Sequence, residues 1–119
     1  MTLIRKPTIL RQHSTHDSVE LWLKIDSDIE DFNGHFPIFP SLPGVTQVDW
    51  AVFYGQQYLN APASFQGMEV IKFQEPILKE HEVKLSLTWQ AEKQKLYFTY
   101  TSEHNEEVKT HSSGRILLG

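Results

Sequence analysis

Residues 19–25, VELWLKI, alternate strictly: Val19, Leu21, Leu23 and Ile25 fall on one side, Glu20, Trp22 and Lys24 on the other. A side-chain period of two is that of a strand with one face in a core. The alternation returns in residues 82–89, EVKLSLTW, with Val83, Leu85, Leu87 and Trp89 inward, and in residues 95–101 through Leu96, Phe98 and Tyr100. Residues 69–77 carry it through Ile71 and Phe73, and residues 107–118 more faintly. The connectors EKQ and HNEE suit antiparallel hairpins. Between the first of these strands and the rest the period changes. Residues 45–59, VTQVDWAVFYGQQYL, read as one helix that is apolar over much of its surface. Asn60, Ala61 and Pro62 end it, because proline disfavours helical geometry in the residue before it. A Pro-rich loop, about residues 30–44, leads into that helix. The order strand, long loop, helix, four strands predicts an α+β fold in which a sheet covers a single helix.

Length and composition narrow this little further. A chain of 119 residues, 39% hydrophobic and 22% charged, fits one globular domain spanning residues 1–119. The core of so small a domain is modest and favours a partner subunit. The absence of cysteine removes disulfides, thiolate metal sites and thiol nucleophiles, and suits the cytosol. The opening residues carry no long apolar run, so neither a signal peptide nor a membrane span is expected. A net charge of −4 argues against broad nucleic-acid binding. Arg5, Lys6 and Arg11 form a local basic group, read as solvated charges or as a patch for an acidic partner.

Two residues stand out chemically. At roughly 100° per residue, Val45, Val48, Val52 and Leu59 share one helical stripe, and Asp49 and Gln56 fall inside it. On a buried stripe an ionised carboxylate is costly, and burial raises its pKa toward that of a general acid. Thr46 and Asp49 also form a Thr-x-x-Asp pattern, which reads equally as a capping box at the helix start. The residues leave both readings open. The second is His35. Gly34 permits close backbone approach, and Pro37, Pro40 and Pro43 stiffen the loop, which preorganises a titratable ring. Pro-x-x-Pro-x-x-Pro is also the pattern of a polyproline II ligand. The flanking Phe36, Ile38, Phe39 and Leu42 argue for burial instead. Pro43 and Gly44 then open the helix, whose first N–H groups lack partners and suit an oxyanion.

The segment GHFPIFPSLPG resembles the signature loop of the FabA/FabZ hot-dog dehydratases, which act on 3-hydroxyacyl-acyl carrier protein. Gly-His-Phe-Pro, prolines five and eight residues after the histidine, a following glycine, and an acid fourteen residues after the histidine all match, at His35, Pro40, Pro43, Gly44 and Asp49. The resemblance implies a hot-dog fold, an antiparallel sheet wrapped around one central helix, paired as a homodimer or a heterodimer with a second hot-dog subunit. His35 would come from one protomer and Asp49 from the other. His35 would take the C2 proton of a (3R)-3-hydroxyacyl thioester, the Gly44 and Val45 N–H groups would hold the enolate oxygen, and Asp49 would protonate the departing hydroxyl. No cofactor, metal, nucleic acid or membrane is implied; the partner is an acyl carrier protein. Asp rather than Glu at the acid position permits isomerisation of the new double bond as well.

The chain departs from that family at Phe53, where members commonly carry Gln, although Gln56 lies on the same stripe. Ile38 and Phe39 replace small or Arg-type loop residues. Both features point to a divergent branch, such as the compact dehydratases of aryl-polyene pathways. There Phe39, Trp50, Phe53 and Tyr54 would line an aryl-accepting tunnel, or at least two of them would be core. His13, His16 and Asp17 make a weak metal pattern, better read as surface polar residues. His81, His104 and His111 carry no assigned role. The alternatives to a dehydratase are an accessory hot-dog subunit that shapes another enzyme's tunnel, or an acyl thioesterase.

Overall fold

In the computed structural model residues 6–29 and 41–119 are described. Six strands and one helix follow in the order β1 (Thr8–Ser14), β2 (Ser18–Lys24), α1 (Gly44–Leu59), β3 (Phe65–Phe73), β4 (Glu82–Gln90), β5 (Lys95–His104) and β6 (Glu107–Leu118). They build one antiparallel sheet in the spatial order β1-β2-β4-β5-β6-β3. The chain crosses from β2 through α1 to β3 at the far edge, then returns to the centre with β4.

Alternation sets which face meets the helix. Val19, Leu21 and Leu23 of β2, Val83, Leu85 and Leu87 of β4, Leu96, Phe98 and Tyr100 of β5 and Ile116 and Leu118 of β6 are all buried. Trp50, Ala51 and Tyr54 of α1 complete that core. Gly55 brings the helix close to the sheet: a Cβ there would lie 2.7 Å from a methyl of Leu96. The β5–β6 hairpin closes through Asn105 and Glu106, both at positive φ, between the paired His104 and Glu107. Two successive positive φ angles are those of the type I′ turn, whose twist matches the strands.

Three sequence expectations change. β1 is an additional strand: TILRQHS lies at the sheet edge with all but Ile9 exposed, so it shows no apolar alternation. β3 runs from Phe65 to Phe73 rather than over residues 69–77. Its pairing with β6 shifts between Phe65 and Gly67 and again between Glu69 and Lys72, and Val70 sits at φ 52°. Positive φ in a β-branched residue is a strained bulge conformation. Ile77 is fully buried but in the loop, its carbonyl accepting Leu42 N–H at 2.8 Å. Trp89, expected inward, is only half-buried at the end of β4.

Candidate active site

The start of α1 offers two backbone donors. The first intrahelical bonds run from Thr46 N–H and Gln47 N–H to the Pro43 carbonyl, both at 3.1 Å. Gly44 and Val45 N–H precede them and have no acceptor within the helix. They carry the positive end of the helix dipole. Val45 is 81% exposed, so among the described residues little covers this end on that side. Gly44 is pressed by the Phe73 ring of β3, where a Cβ would lie within 2.7 Å of the ring edge.

Asp49 lies five residues on from Gly44, roughly 7 Å along the helix axis. A helical side chain tilts toward the helix N-terminus, which shortens that gap. Its carboxylate is exposed, on a groove of about 450 Å³ lined by Val45, Val48, Val52, Phe53, Gln56 and Phe65. Lys6 borders the same groove, its ammonium 4.6 Å from the centre of the Phe53 ring.

This corrects two expectations about Asp49. Of the stripe Val45, Val48, Asp49, Val52, Gln56 and Leu59, only Val48, Val52 and Leu59 pack half-buried against the core, while Val45 and Asp49 are exposed, so the stripe is not the fully buried face. That face is Thr46, Gln47, Trp50, Ala51, Tyr54 and Gly55. The helix has two apolar faces, and the sheet takes the one bearing the largest side chains. The capping-box reading also fails. Pro43 is the N-cap, it makes no side-chain cap bond, and the first turn holds no acidic residue. Thr46 is therefore the third helical residue, and Asp49 lies beyond the turn whose donors a capping carboxylate reaches.

His35, Gly34, Pro37, Phe39 and Pro40 lie outside the described residues, as does Arg5. The end of the loop is described: Ser41 bridges to Leu78, and Pro43 and Gly44 lead into α1. Gln56 and Phe53 both line the groove with Asp49, whereas Trp50 and Tyr54 are core. Burial, with a smaller effect of Tyr58, pushes the Tyr54 phenol up to about 12. The basic group disperses: Arg11 stacks 4.0 Å over Trp22 on the outer face of the sheet.

Three polar residues emerged only in the structure. Gln47, Ser112 and His111 are buried. Ser112 Oγ donates to Gln47 Oε1 at 2.6 Å, Gln47 Nε2 donates to the Leu42 carbonyl at 3.1 Å, and Tyr100 O–H donates to the Gln47 carbonyl at 2.7 Å. His111 contacts the Glu75 carbonyl through Nδ1 at 3.2 Å, which makes Nδ1 the protonated nitrogen and leaves Nε2 to accept from Ser102 Oγ at 2.7 Å. Near it, burial, with smaller contributions from His111 and Lys109, lowers the His81 pKa. The available sequence signal was polar residues at inward positions of otherwise apolar elements. His13 faces Glu20 of β2 at 3.8 Å, and among the described residues no group of three or more His, Asp or Glu is placed to hold a metal ion. No described helix is long and apolar enough to cross a membrane.

Comparison with protein families matches residues 11–115 to ApeI-like proteins, described as ApeI dehydratase. The chain belongs to the ApeI-like dehydratase family. A chain of the dehydratase heterocomplex ApeI:P from Xenorhabdus doucetiae is 32% identical and superposes with a TM-score of 0.82, covering 94% of this chain and 96% of that one. An uncharacterized protein from Erwinia carotovora subsp. atroseptica is 41% identical, with a TM-score of 0.83 and coverage of 93% and 94%. An uncharacterized Pyrococcus horikoshii protein, 13% identical with a TM-score of 0.54 over 98% of this chain and 85% of its own, shares the fold alone. No curated protein matches significantly. One helix wrapped by a six-stranded antiparallel sheet is the hot-dog fold, so this ApeI-like chain is a hot-dog dehydratase by fold and family.

Proposed function

We propose that the protein dehydrates (3R)-3-hydroxyacyl groups, carried as thioesters on an acyl carrier protein, to trans-2-enoyl thioesters, in the cytosol and together with a second hot-dog chain. The observation that carries this reading is the position of Asp49. It stands in a partly apolar groove on the open face of α1, one and a half turns from two N–H groups that have no acceptor within the helix. A thioester oxygen held at Gly44 and Val45 places the 3-hydroxyl of the same substrate within reach of that carboxyl. His35 serves as the base at C2 and Asp49 as the acid to the leaving hydroxyl. The α-proton of a thioester is weakly acidic and hydroxide is a poor leaving group, so both groups and the oxyanion donors are needed.

A second chain is part of the proposal. Val45, Phe53, Phe65, Met68, Val70 and Phe73 are all exposed, on α1 and the edge strand β3, whose outer side has no neighbour among the described residues. Covering them removes water from Asp49, and its general-acid role requires that cover. The Xenorhabdus relative works within a heterocomplex, which supports a distinct hot-dog partner over a homodimer. An aryl-polyene acyl chain is the substrate class most consistent with the family. The test is turnover of (3R)-3-hydroxyacyl-acyl carrier protein and short thioester surrogates by the purified chain, alone and with its partner. Turnover that falls by about 10²–10⁴ in His35→Ala and in Asp49→Asn is the expected result. A wild-type complex inert on every 3-hydroxyacyl thioester, or one that hydrolyses them, overturns it.

A further inference from the structure

We infer that Gln47 is a positioning residue, clamping the start of α1 so that the Gly44 and Val45 N–H groups point at the reacting oxygen; this rests on the dehydratase reading above. The clamp is built from three parts of the fold. Gln47 Nε2 reaches back to the Leu42 carbonyl, its Oε1 takes the Ser112 hydroxyl of β6, and its own carbonyl takes the Tyr100 hydroxyl of β5. Leu42 N–H is held in turn by the Ile77 carbonyl, and the Pro43 carbonyl by Thr46 and Gln47 N–H. Leu42 is thus gripped at both its N–H and its carbonyl, and Pro43 at its carbonyl. The next two N–H groups in the chain are the proposed oxyanion donors.

Gln47 and Ser112 are 4% and 0% exposed, in a largely apolar core. Burying an amide and a hydroxyl there is costly unless both are bonded, and both are. A methionine of similar length would fill the space without that requirement. The side-chain bonds therefore add direction more than stability: they hold the loop end, the first helical turn and the central strands in one relative placement. Donors aimed at a developing charge act only when held in place, and a misplacement of about 1 Å costs on the order of 10²-fold in rate. Gln47 and Asp49 lie on opposite faces of α1, so Gln47 acts through the backbone and does not touch substrate.

The test compares wild type, Gln47→Met, Ser112→Ala and Tyr100→Phe in the assembled enzyme on one (3R)-3-hydroxyacyl thioester surrogate. Amide NMR signals of Gly44 and Val45 are followed in parallel. Gln47→Met is expected to lower kcat by about 10- to 100-fold with KM within about twofold, and to shift both amide signals. Ser112→Ala and Tyr100→Phe, each losing one bond, are expected to give smaller losses in kcat with the same constancy of KM. Folded Gln47→Met, or the milder pair should it fail to fold, with wild-type kcat and unmoved Gly44 and Val45 signals overturns the clamp and leaves the dehydratase reading standing. An inert wild type overturns both.

Discussion

The two faces of α1 are both apolar, yet they do different work. The inner face sets Thr46, Gln47, Trp50, Ala51 and Tyr54 against the sheet, with its polar groups bonded to Leu42, Tyr100 and Ser112. The outer face sets Val45, Asp49, Phe53 and Gln56 on an open groove beside β3. One face is complete among the described residues of a single chain; the other leaves a carboxylate and two apolar side chains, Val45 and Phe53, exposed. A helix of one fold thus divides stability from the proposed chemistry by about half a turn.

That division can be broken at several points. The largest effect expected is at Asp49: Asn there should lower turnover by about 10²–10⁴ while changing chain stability by no more than about 0.5 kcal/mol, as for other exposed positions. Thermal denaturation beside the kinetic assay checks both halves. Trp50→Ala should do the reverse, costing about 3–5 kcal/mol, a large share of the ~5–15 kcal/mol that holds such a domain together. Chemical denaturation measures it. Phe53→Ser should leave the folded chain nearly as stable but weaken association with the second subunit, seen as a shift toward monomer in sedimentation. Equal association by wild type and variant would remove the outer face from the interface.

The smallest effect concerns pH. The inner face holds Tyr54, raised by burial to about 12, and packs on Tyr100, which burial raises well above the usual phenol range. In the unfolded chain both lose protons near pH 10. Between pH 10 and 12 the unfolded state therefore binds fewer protons than the folded state, and stability falls as pH rises through that window. Below pH 10 the contribution is fully present. Alkaline unfolding that coincides with the rise in tyrosinate absorbance checks this; tyrosinate that forms fully in the folded chain near pH 10 refutes it.

Much of the fold was legible because β2, β4 and β5 each bury one alternating face, so periodicity and burial coincide. β1 was not, because an edge strand with both faces wet has no apolar period to read. β3 was displaced because Ile71, Phe73 and Ile77 keep the strand period while the chain bulges at Val70. The outer stripe of α1 was legible as apolar, but sequence does not say which of two apolar faces the chain covers itself. The Pro43-Gly44 helix start suggested an anion site from helix-end physics, whereas the roles proposed for Asp49, Gly44 and Val45 came through the family resemblance. Gln47 and Ser112 could be named from neither, because their meaning lies in contacts between residues 65 positions apart.

The bulged edge of β3 also bears on solubility. An edge strand carrying exposed Phe65, Met68, Val70 and Phe73, with no neighbour on its outer side among the described residues, is the kind of rim on which chains add to one another into aggregates. The two shifts in register and the left-handed Val70 break that rim into short, bent runs that a flat, indiscriminate strand cannot follow for long. A neighbour shaped to the same bend loses nothing by them. The strain at one valine thus limits how far a second strand could follow this edge.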